Sequence, residues 1–355
     1  MFTQEEFSRL QQGVAELSRA FQTGVDAALD QAGDSMWSSP RETVHERDRL
    51  KLYRYPSRST DGSTTRPMLL VYALVNRPYI LDIEPERSLV QRLCEQGIDV
   101  YLIDWGYPLP EDRSLSLEDY VNDYIDSCVQ IVGQRHGQAS VDVLGVCQGG
   151  VLSLIYAALK PDRVRNLITM VTPVDCHTPD NLLSRWVRSI DLDCLVDAMG
   201  NVPGWMLNSF FLGLKPLQLT ADKYFSMSDV LSDERKARRF LKMERWLQDC
   251  PDQAGVAFRQ FVGAVYQRNC LVEGGMFING CEVDLAKLHM PILNIYARQD
   301  HIVPPSASRP LKALAGTTDY TEIAHDSGHI GIFVGASTQE TIAPAIAQWL
   351  SARSV

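Results

Sequence analysis

The sequence lacks a surplus of basic residues. Its 34 Lys and Arg stand against 44 Asp and Glu, which gives a formal net charge of −10 over 355 residues. A protein that binds nucleic acid generally presents a basic face to the phosphate backbone. The charge balance therefore argues against nucleic acid as a partner and against a surface attracted to anionic lipid. A local basic patch for one anionic ligand stays open.

The sequence also lacks cysteines at metal-binding spacing. Its eight cysteines, at positions 94, 128, 147, 176, 194, 250, 270 and 281, lie at least 11 residues apart. Zinc sites usually pair ligands that are separated by about two to four residues, and a chain of this length is not a small disulfide scaffold. We expect neither a metal nor another cofactor.

Long hydrophobic runs are missing as well. The longest run, Met68–Val75, is far shorter than the roughly 20 apolar residues that span a bilayer. The first residues, from Met1 to Glu6, contain neither the basic nor the apolar region of a signal peptide. We therefore expect a cytoplasmic protein without a membrane span.

One apolar stripe marks the N-terminal part of the chain. Its residues repeat at intervals of three or four: Phe7, Leu10, Val14, Leu17, Phe21, Val25 and Leu29. This is the spacing of a helix with one apolar face, and Thr3 with Glu6 fits a capping box. We predict an N-terminal helical segment over residues 1–44, whose apolar face either packs on its own domain or docks a partner.

Short apolar strands alternate with helices over residues 45–174 and again over 291–355. The predicted strands are Arg49–Tyr55, Met68–Val75, Ile98–Asp104, Val141–Val146, Leu167–Thr172, Ile292–Ala297 and Tyr320–Ile323. The predicted helices are Leu117–Arg135, Gly149–Leu159 and Ser337–Ser351. This order predicts an α/β domain with a mostly parallel sheet flanked by helices.

Residues 175–290 interrupt this alternation. They contain few strand signals, a charged helical run over Asp233–Gln248 and many large apolar side chains: Trp186, Trp205, Met206, Phe210, Phe211, Phe240 and Trp246. We predict a mainly helical cap that is inserted into the sheet domain. We expect these large side chains to form the core of the cap, with a wall of the substrate site as the alternative.

The strongest chemical signal is the segment from Gly145 to Gly149, which reads GVCQG between a predicted strand and a predicted helix. A sharp turn at this point needs glycine on both sides of the nucleophile, here Cys147. The turn exposes the sulfur at a helix N-terminus, where the dipole favours a thiolate. The backbone N–H of Gln148 would face the oxyanion. Such turns usually carry serine, and a cysteine suits acyl exchange with thioesters.

A nucleophile in such a turn needs an acid and then a histidine later in the chain. Asp300 follows the predicted strand Ile292–Ala297, and His329 lies in the loop after the last predicted strand. We predict that Asp300 orients the imidazole of His329, which deprotonates Cys147.

Other residues of the same loops compete for these roles. His325 lies nearer the strand end than His329, but glycines on both sides of His329 leave its loop freer to aim the ring. Asp326 is a weaker rival to Asp300. We expect His301 to pack within its own loop, with a place in the substrate wall as the alternative.

The second oxyanion donor belongs in the loop after the first buried strand. That loop contains Val75 and Asn76 but no HGG motif, and we predict the N–H of Val75, with that of Asn76 as the alternative. Asn76, Asp104 and Trp105 are also expected to line the substrate site, although Asp104 and Trp105 could simply close their own loop.

Five segments together resemble polyhydroxyalkanoate synthases over about residues 45–350. They are YALVNRPY at 72–79, YLIDWG at 101–106, GVCQG at 145–149, DHIVP at 300–304 and GHIG at 328–331. The resemblance implies an α/β-hydrolase fold in which Cys147, Asp300 and His329 match the catalytic residues of the family. The stretch Ala73–Asn76 differs from the one-component enzymes of the family.

The same resemblance implies a substrate and partners. It implies polymerisation of (R)-3-hydroxyacyl-CoA, chiefly 3-hydroxybutyryl-CoA, into a polyester granule at whose surface the enzyme works. It also implies a homodimer that acts with an accessory synthase subunit. The short chain looks like the catalytic subunit of a two-component class III enzyme, with class IV as the near alternative.

Two other functions fit the same residues. A cytosolic cysteine-nucleophile hydrolase of the dienelactone hydrolase or thioesterase type shares the triad and differs only in the fate of its acyl-enzyme. A non-catalytic granule-coat protein on the same fold is a third reading, against which the intact set of Cys147, Asp300 and His329 speaks.

Overall fold

A computed structural model of the protein describes residues 23–25, 29, 35–58, 66–214 and 233–353. The predicted stripe from Phe7 to Leu29 therefore lies outside the described residues except for its last two positions. Val25 and Leu29 are helical and buried, at 4% and 1% exposure. The docking or packing role of the stripe stays a prediction.

Eight strands within the described ranges form one sheet. They are β1 (Glu42–Arg47), β2 (Leu50–Tyr55), β3 (Arg66–Val71), β4 (Ile98–Asp104), β5 (Val141–Val146), β6 (Val164–Met170), β9 (Ile292–Ala297) and β10 (Tyr320–His325). Their order across the sheet is β1-β2-β4-β3-β5-β6-β9-β10. The pairs β1–β2 and β2–β4 are antiparallel. Every other neighbouring pair in the sheet is parallel. The expected mostly parallel sheet is confirmed.

Helices cover the sheet and form most of the insertion. The α-helices of the described residues are α1 (Leu89–Glu95), α2 (Asp126–His136), α3 (Gln148–Leu159), α4 (Leu182–Val187), α5 (Leu192–Met199), α6 (Gly204–Leu214), α7 (Glu234–Gln248), α8 (Gly255–Phe261), α9 (Cys270–Glu273), α10 (Pro305–Ser308), α11 (Leu311–Leu314), α12 (Gly331–Val334) and α13 (Ala336–Ser351). Two π-helices, Asp119–Ile125 and Val262–Gln267, precede α2 and follow α8. None of the helices described is both long enough and apolar enough to cross a bilayer.

Both faces of the sheet are buried. Successive residues of β3 point to opposite faces, so that Leu69 and Val71 join one hydrophobic cluster while Met68 and Leu70 join the other. The first cluster contains apolar residues of α2 and α3, and the second contains those of α1 and α13. Burial on two faces explains why these strands read as continuous apolar runs.

The carboxyl ends of the central strands meet at one edge of the sheet. Gly145 of β5 lies opposite Val71 of β3 and Thr169 of β6, and Met170 lies opposite Ile295 of β9. Ligands of open parallel sheets bind at such an edge. The loops that follow β3, β5, β9 and β10, which carry the predicted site residues, come together there.

Two features of the sheet differ from the sequence-based prediction. β1 is not predicted, because its residues are polar and mostly exposed; it forms through a hairpin with β2 whose turn residue Asp48 has φ 52°. The strand predicted over Met68–Val75 ends at Val71. Val71 is also the last residue of β3 that pairs with β5, because β5 ends in the elbow just beyond Gly145.

The described residues between β6 and β9 are mainly helical, as predicted, and three of their helices start at polar side chains. Asn181, Asp191 and Asp233 accept hydrogen bonds of 2.9–3.0 Å from N–H groups in the first turns of α4, α5 and α7. A small hairpin of β7 (Phe277–Ile278) and β8 (Cys281–Glu282) is an addition that the sequence pattern does not predict.

The large apolar residues of the insertion differ in how far they are buried. Trp246 on α7 is only 4% exposed, and Met206 and Phe211 on α6 pack against a small cluster of buried residues. Trp186 and Trp205 are 38% and 46% exposed. The expectation that these side chains form the core of the insertion is therefore wrong for the two exposed tryptophans.

Candidate active site

Cys147 occupies a strained turn between β5 and α3. Its backbone has φ 54° and ψ −120°, a conformation that costs free energy for a residue with a side chain. Its N–H donates to Met170 O at 2.8 Å, which holds the turn against β6. The thiol is partly exposed and stands at the N-terminus of α3, as predicted.

The glycines beside Cys147 allow the turn to pack closely. A Cβ atom at Gly145 would lie 2.6 Å from the Cα atom of Gly150, and one at Gly149 would overlap the carbonyl oxygens of Val71 and Tyr72. A larger residue at either position would push α3 away from the sheet. The structure thus assigns both predicted elbow glycines a steric role.

Asp300 lies in the loop after β9 with its side chain fully buried. Its Oδ1 atom accepts hydrogen bonds from the N–H groups of Ile302 at 2.8 Å and Val303 at 2.9 Å. Its Oδ2 atom lies 2.6 Å from His329 Nδ1. Both carboxylate oxygens are therefore used, and the carboxylate is held rigidly toward the imidazole.

His329 lies in the loop between β10 and α12 and is 8% exposed. Burial by itself lowers the pKa of His329, but the charges of Asp300 and Cys147, with hydrogen bonds to both, raise it to about 10. Because Nδ1 is engaged with Asp300, Nε2 is the ring nitrogen left for the sulfur. The structure brings Cys147, His329 and Asp300 together in this order.

The rival residues are held elsewhere. His325 has one ring nitrogen 3.2 Å from Ser327 Oγ and the other 3.2 Å from Thr341 Oγ1. Asp326 pairs with Arg298 at 3.0 Å on the surface. His301 follows Asp300 in the chain, but the hydrogen bonds to both oxygens of that carboxylate come from other residues.

The side chains predicted to line the substrate site have polar partners in other parts of the chain. Asp104 pairs with Arg77 at 2.7 Å, and the indole N–H of Trp105 donates to Tyr72 O at 2.9 Å. The Asn76 amide donates to two carbonyl oxygens of α7. Each of these side chains thus has a hydrogen-bond or ion-pair partner, and its expected contact with the substrate stays a prediction.

Two tyrosines near the sulfur were not predicted. Burial raises the pKa of Tyr72, and electrostatic interaction with Cys147 and Cys250 adds to the increase. Burial also raises the pKa of Tyr266, followed by the charges of Cys176, Cys147 and Asp300. Tyr266 comes from the π-helix Val262–Gln267 in the insertion, a local irregularity that often marks functional sites, and the apolar spacing of the sequence does not indicate it.

No cluster of three or more His, Cys, Asp or Glu side chains in the described ranges could hold a metal ion. The sheet edge brings together a thiol at a helix N-terminus, an imidazole and a buried carboxylate, which are the groups that covalent catalysis uses.

Family models match two parts of the chain. One, described as the alpha/beta hydrolase fold, matches residues 66–336. Another, described as the N-terminus of poly-beta-hydroxybutyrate polymerase (PhaC), matches residues 7–93.

Several curated proteins resemble the chain over nearly its whole length. It is 51% identical to the poly(3-hydroxyalkanoate) polymerase subunit PhaC of Allochromatium vinosum over 347 residues, covering 97% of this chain and 98% of the relative. It is 49% identical to the protein of the same name from Thiocystis violacea, covering 98% of each. The protein of that name from Synechocystis is 48% identical, with 89% and 85% covered.

Solved structures share the fold at low identity. The thioesterase domain from the curacin biosynthetic pathway matches with a TM-score of 0.53 at 14% identity, covering 87% of this chain and 99% of that domain. A bacterial membrane phospholipase A matches with a TM-score of 0.54 at 13% identity, covering 98% and 97%. These matches concern the fold alone, and they agree with the predicted α/β-hydrolase architecture.

Proposed function

Because this chain belongs to the poly(3-hydroxyalkanoate) polymerase family, we propose that Cys147, His329 and Asp300 carry out its polymerisation chemistry. The chain is an acyltransferase that takes acyl-CoA and makes polyester. The observation that supports these roles is the distance of 2.6 Å between His329 Nδ1 and Oδ2 of the buried Asp300. This pair accompanies the strained turn that presents Cys147.

The first step is acyl transfer to the enzyme. The Cys147 sulfur attacks the thioester carbonyl of a 3-hydroxyacyl-CoA, and the bond from that carbonyl to the CoA sulfur breaks. The proton held by His329 passes to the leaving CoA thiolate. The product is a 3-hydroxyacyl thioester on Cys147, and the negative charge on Asp300 stabilises the imidazolium before the proton leaves.

The second step lengthens the chain. Neutral His329 takes the proton from the hydroxyl of another hydroxyacyl unit, whose oxygen attacks the thioester on Cys147. An ester bond forms, the bond to sulfur breaks, and the ion pair of Cys147 with His329 is restored. Asp300 is a poor alternative base because Ile302, Val303 and His329 occupy its two oxygens.

The acyl-enzyme must be protected from water, since hydrolysis would end the chain. Met243 and Leu247 of α7 pack with the same hydrophobic cluster as Cys147, and Ile330 joins it from the histidine loop. An apolar surrounding of this kind excludes water from the thioester. This environment favours transfer to a hydroxyl over hydrolysis.

Incubation of the purified chain with (R)-3-hydroxybutyryl-CoA tests the proposal. We expect CoA release together with insoluble polyester. We expect Cys147→Ala to lower the rate at least about 10⁴-fold, since loss of a nucleophile removes the covalent route. Cys281→Ala, which removes an exposed thiol, is the matched control and should keep the rate.

Soluble 3-hydroxybutyrate without polymer would instead identify a hydrolase. CoA release that survives Cys147→Ala unchanged would contradict the assigned nucleophile.

The assembly and location of the enzyme are also part of the proposal. We propose a class III catalytic subunit, with class IV as the alternative, that forms a homodimer and works with an accessory subunit at the surface of cytoplasmic polyester granules. The word "subunit" in the names of the 51% and 49% identical relatives supports a partner. Light scattering of the purified chain and its polymerisation time course check this: a monomer, or full activity without a lag, would contradict it.

A further inference from the structure

The loop after β3 is attached on both sides. On one side the N–H of Leu74 donates to Gln148 Oε1 at 3.0 Å, which ties the loop to the residue that follows the nucleophile. On the other side Asn76 Nδ2 lies 3.1 Å from Trp246 O and 3.3 Å from Leu247 O. The loop therefore connects the elbow to the last turn of α7.

Asn76 has the conformation that such an attachment requires. Its φ is 57°, in the left-handed region that asparagine tolerates better than most residues with a side chain. Trp246 and Leu247 are among the last four residues of α7, whose carbonyl oxygens lack N–H donors from a following turn of helix. Trp246 O accepts one further hydrogen bond, from Asp249 N–H at 3.2 Å. The indole N–H of Trp246 in turn donates to Arg77 O at 2.8 Å, so hydrogen bonds run in both directions between loop and helix.

These contacts decide which N–H groups of the loop are available. The N–H of Leu74 is used by Gln148, whereas that of Val75 has no hydrogen-bond partner among the described residues. The peptide that carries the Val75 N–H lies between the two attachments, one residue from each. Moving either attachment would move this donor relative to Cys147.

We propose that Asn76 is a positioning residue that couples α7 of the insertion to the oxyanion hole. By holding the loop against the C-terminal end of α7, it fixes the Val75 N–H where the oxyanion of the acyl transfer forms. The inference rests on the proposed function, in which that N–H and the N–H of Gln148 are the two donors. The oxyanion hole is therefore complete only while the C-terminal end of α7 is held against the loop after β3.

The chain offers a matched control. Asn208 on α6 also donates its Nδ2 to Leu247 O, at 2.7 Å, but no hydrogen bond joins it to the loop after β3 among the described residues. Asn76 and Asn208 therefore share an acceptor on α7, and only Asn76 joins that acceptor to the oxyanion hole. Loss of either bond disturbs the end of α7, whereas loss of the Asn76 bond also frees the loop.

The experiment compares Asn76→Gly, Asn76→Ala and Asn208→Ala by CoA release from 3-hydroxybutyryl-CoA. Glycine removes the amide without backbone strain, because it adopts positive φ freely. We expect kcat to fall roughly ten- to a hundredfold in both Asn76 variants, since a displaced oxyanion donor raises the barrier. KM should stay within about twofold, and Asn208→Ala should keep kcat within about twofold.

A second readout separates positioning from a general loss of structure. Alkylation of Cys147 by iodoacetamide passes through no oxyanion, so its rate should stay unchanged in Asn76→Gly while kcat falls. Wild-type kcat in Asn76→Gly, or an equal loss of kcat in Asn208→Ala, would overturn the inference. Wild-type protein that releases CoA but makes no polyester would contradict the proposed function alone, because the comparison of kcat values remains valid.

Discussion

The central strands of the sheet and helix α6 of the insertion carry similar amounts of apolar sequence but bury very different shares of it. Every residue of β4, β5 and β9 is buried. In α6 only Gly204, Leu207 and Leu214 are buried, although the helix reads GWMLNSFFLGL. Apolar composition alone therefore does not tell which part of this chain forms a core.

Helix α7 shows that the insertion is not uniform. Although it belongs to the same insertion as α6, it buries Trp246, Lys242 and Glu244. Lys242 donates to the carbonyl oxygens of Ser35 and Ile83 at 3.1 and 3.4 Å. Arg239 adds an ion pair with Glu84 at 2.8 Å. Through these contacts α7 packs firmly against the rest of the protein, whereas α6 presents much of its apolar surface to solvent.

The largest effect expected in this comparison is on the rate of CoA release and concerns the site at the sheet edge. His329→Gln should lower the rate of CoA release by about 10³-fold or more, because the substitution removes the base. His325→Gln should change the rate less than about threefold, since His325 bonds to Ser327 and Thr341 rather than to Asp300. Steady-state kinetics of the two variants check this, and a reversed order would assign the base to His325.

A smaller effect tests the contrast between α7 and α6 directly. Trp246→Ala should lower the free energy of unfolding by roughly 3–5 kcal/mol, because it leaves a cavity and an unpaired Arg77 carbonyl. Trp205→Ala should cost less than about 1 kcal/mol, since the side chain is 46% exposed. Urea unfolding measures both values. Equal losses would mean that α6 is held as firmly as α7.

The last prediction concerns pH and again belongs to the sheet edge. Burial lowers the pKa of His329, but the charges of Asp300 and Cys147 outweigh it and raise the pKa from 6.5 to about 10. The folded protein therefore keeps this proton where the unfolded chain has lost it. The stabilisation is fully present below about pH 6.5 and is lost as the pH rises toward about 10.

Urea unfolding at several pH values across this window measures the effect. The free energy of unfolding should fall more steeply with pH in the wild type than in His329→Gln, which lacks the titrating group. Parallel curves for the two proteins would contradict the raised pKa. Trp205→Ala leaves the sheet edge intact, and its free energy of unfolding should therefore fall with pH at the same slope as that of the wild type.

Much of the site could be predicted because each part depends on a short stretch of chain. The GVCQG turn around Cys147 follows from glycine on both sides of a nucleophile, and Asp300 follows a strand that its apolar run makes recognisable. The sequence favours His329 over His325 through the glycines beside His329, but which ring the loop turns toward Asp300 depends on the folded loop. The hydrogen bonds of Asn76 to Trp246 and Leu247 were not predicted, and its expected place in the substrate wall stays a prediction.

By itself, the sequence determined the strand and helix order, the strained turn at Cys147 and the candidates for acid and base, since periodicity and turn chemistry act between near neighbours. The tertiary structure decided which apolar residues of the insertion are buried and what Asn76 binds. Its acceptors Trp246 and Leu247 lie 170 and 171 residues further along the chain. Contacts at that separation depend on how α7 docks, and no local pattern specifies that docking.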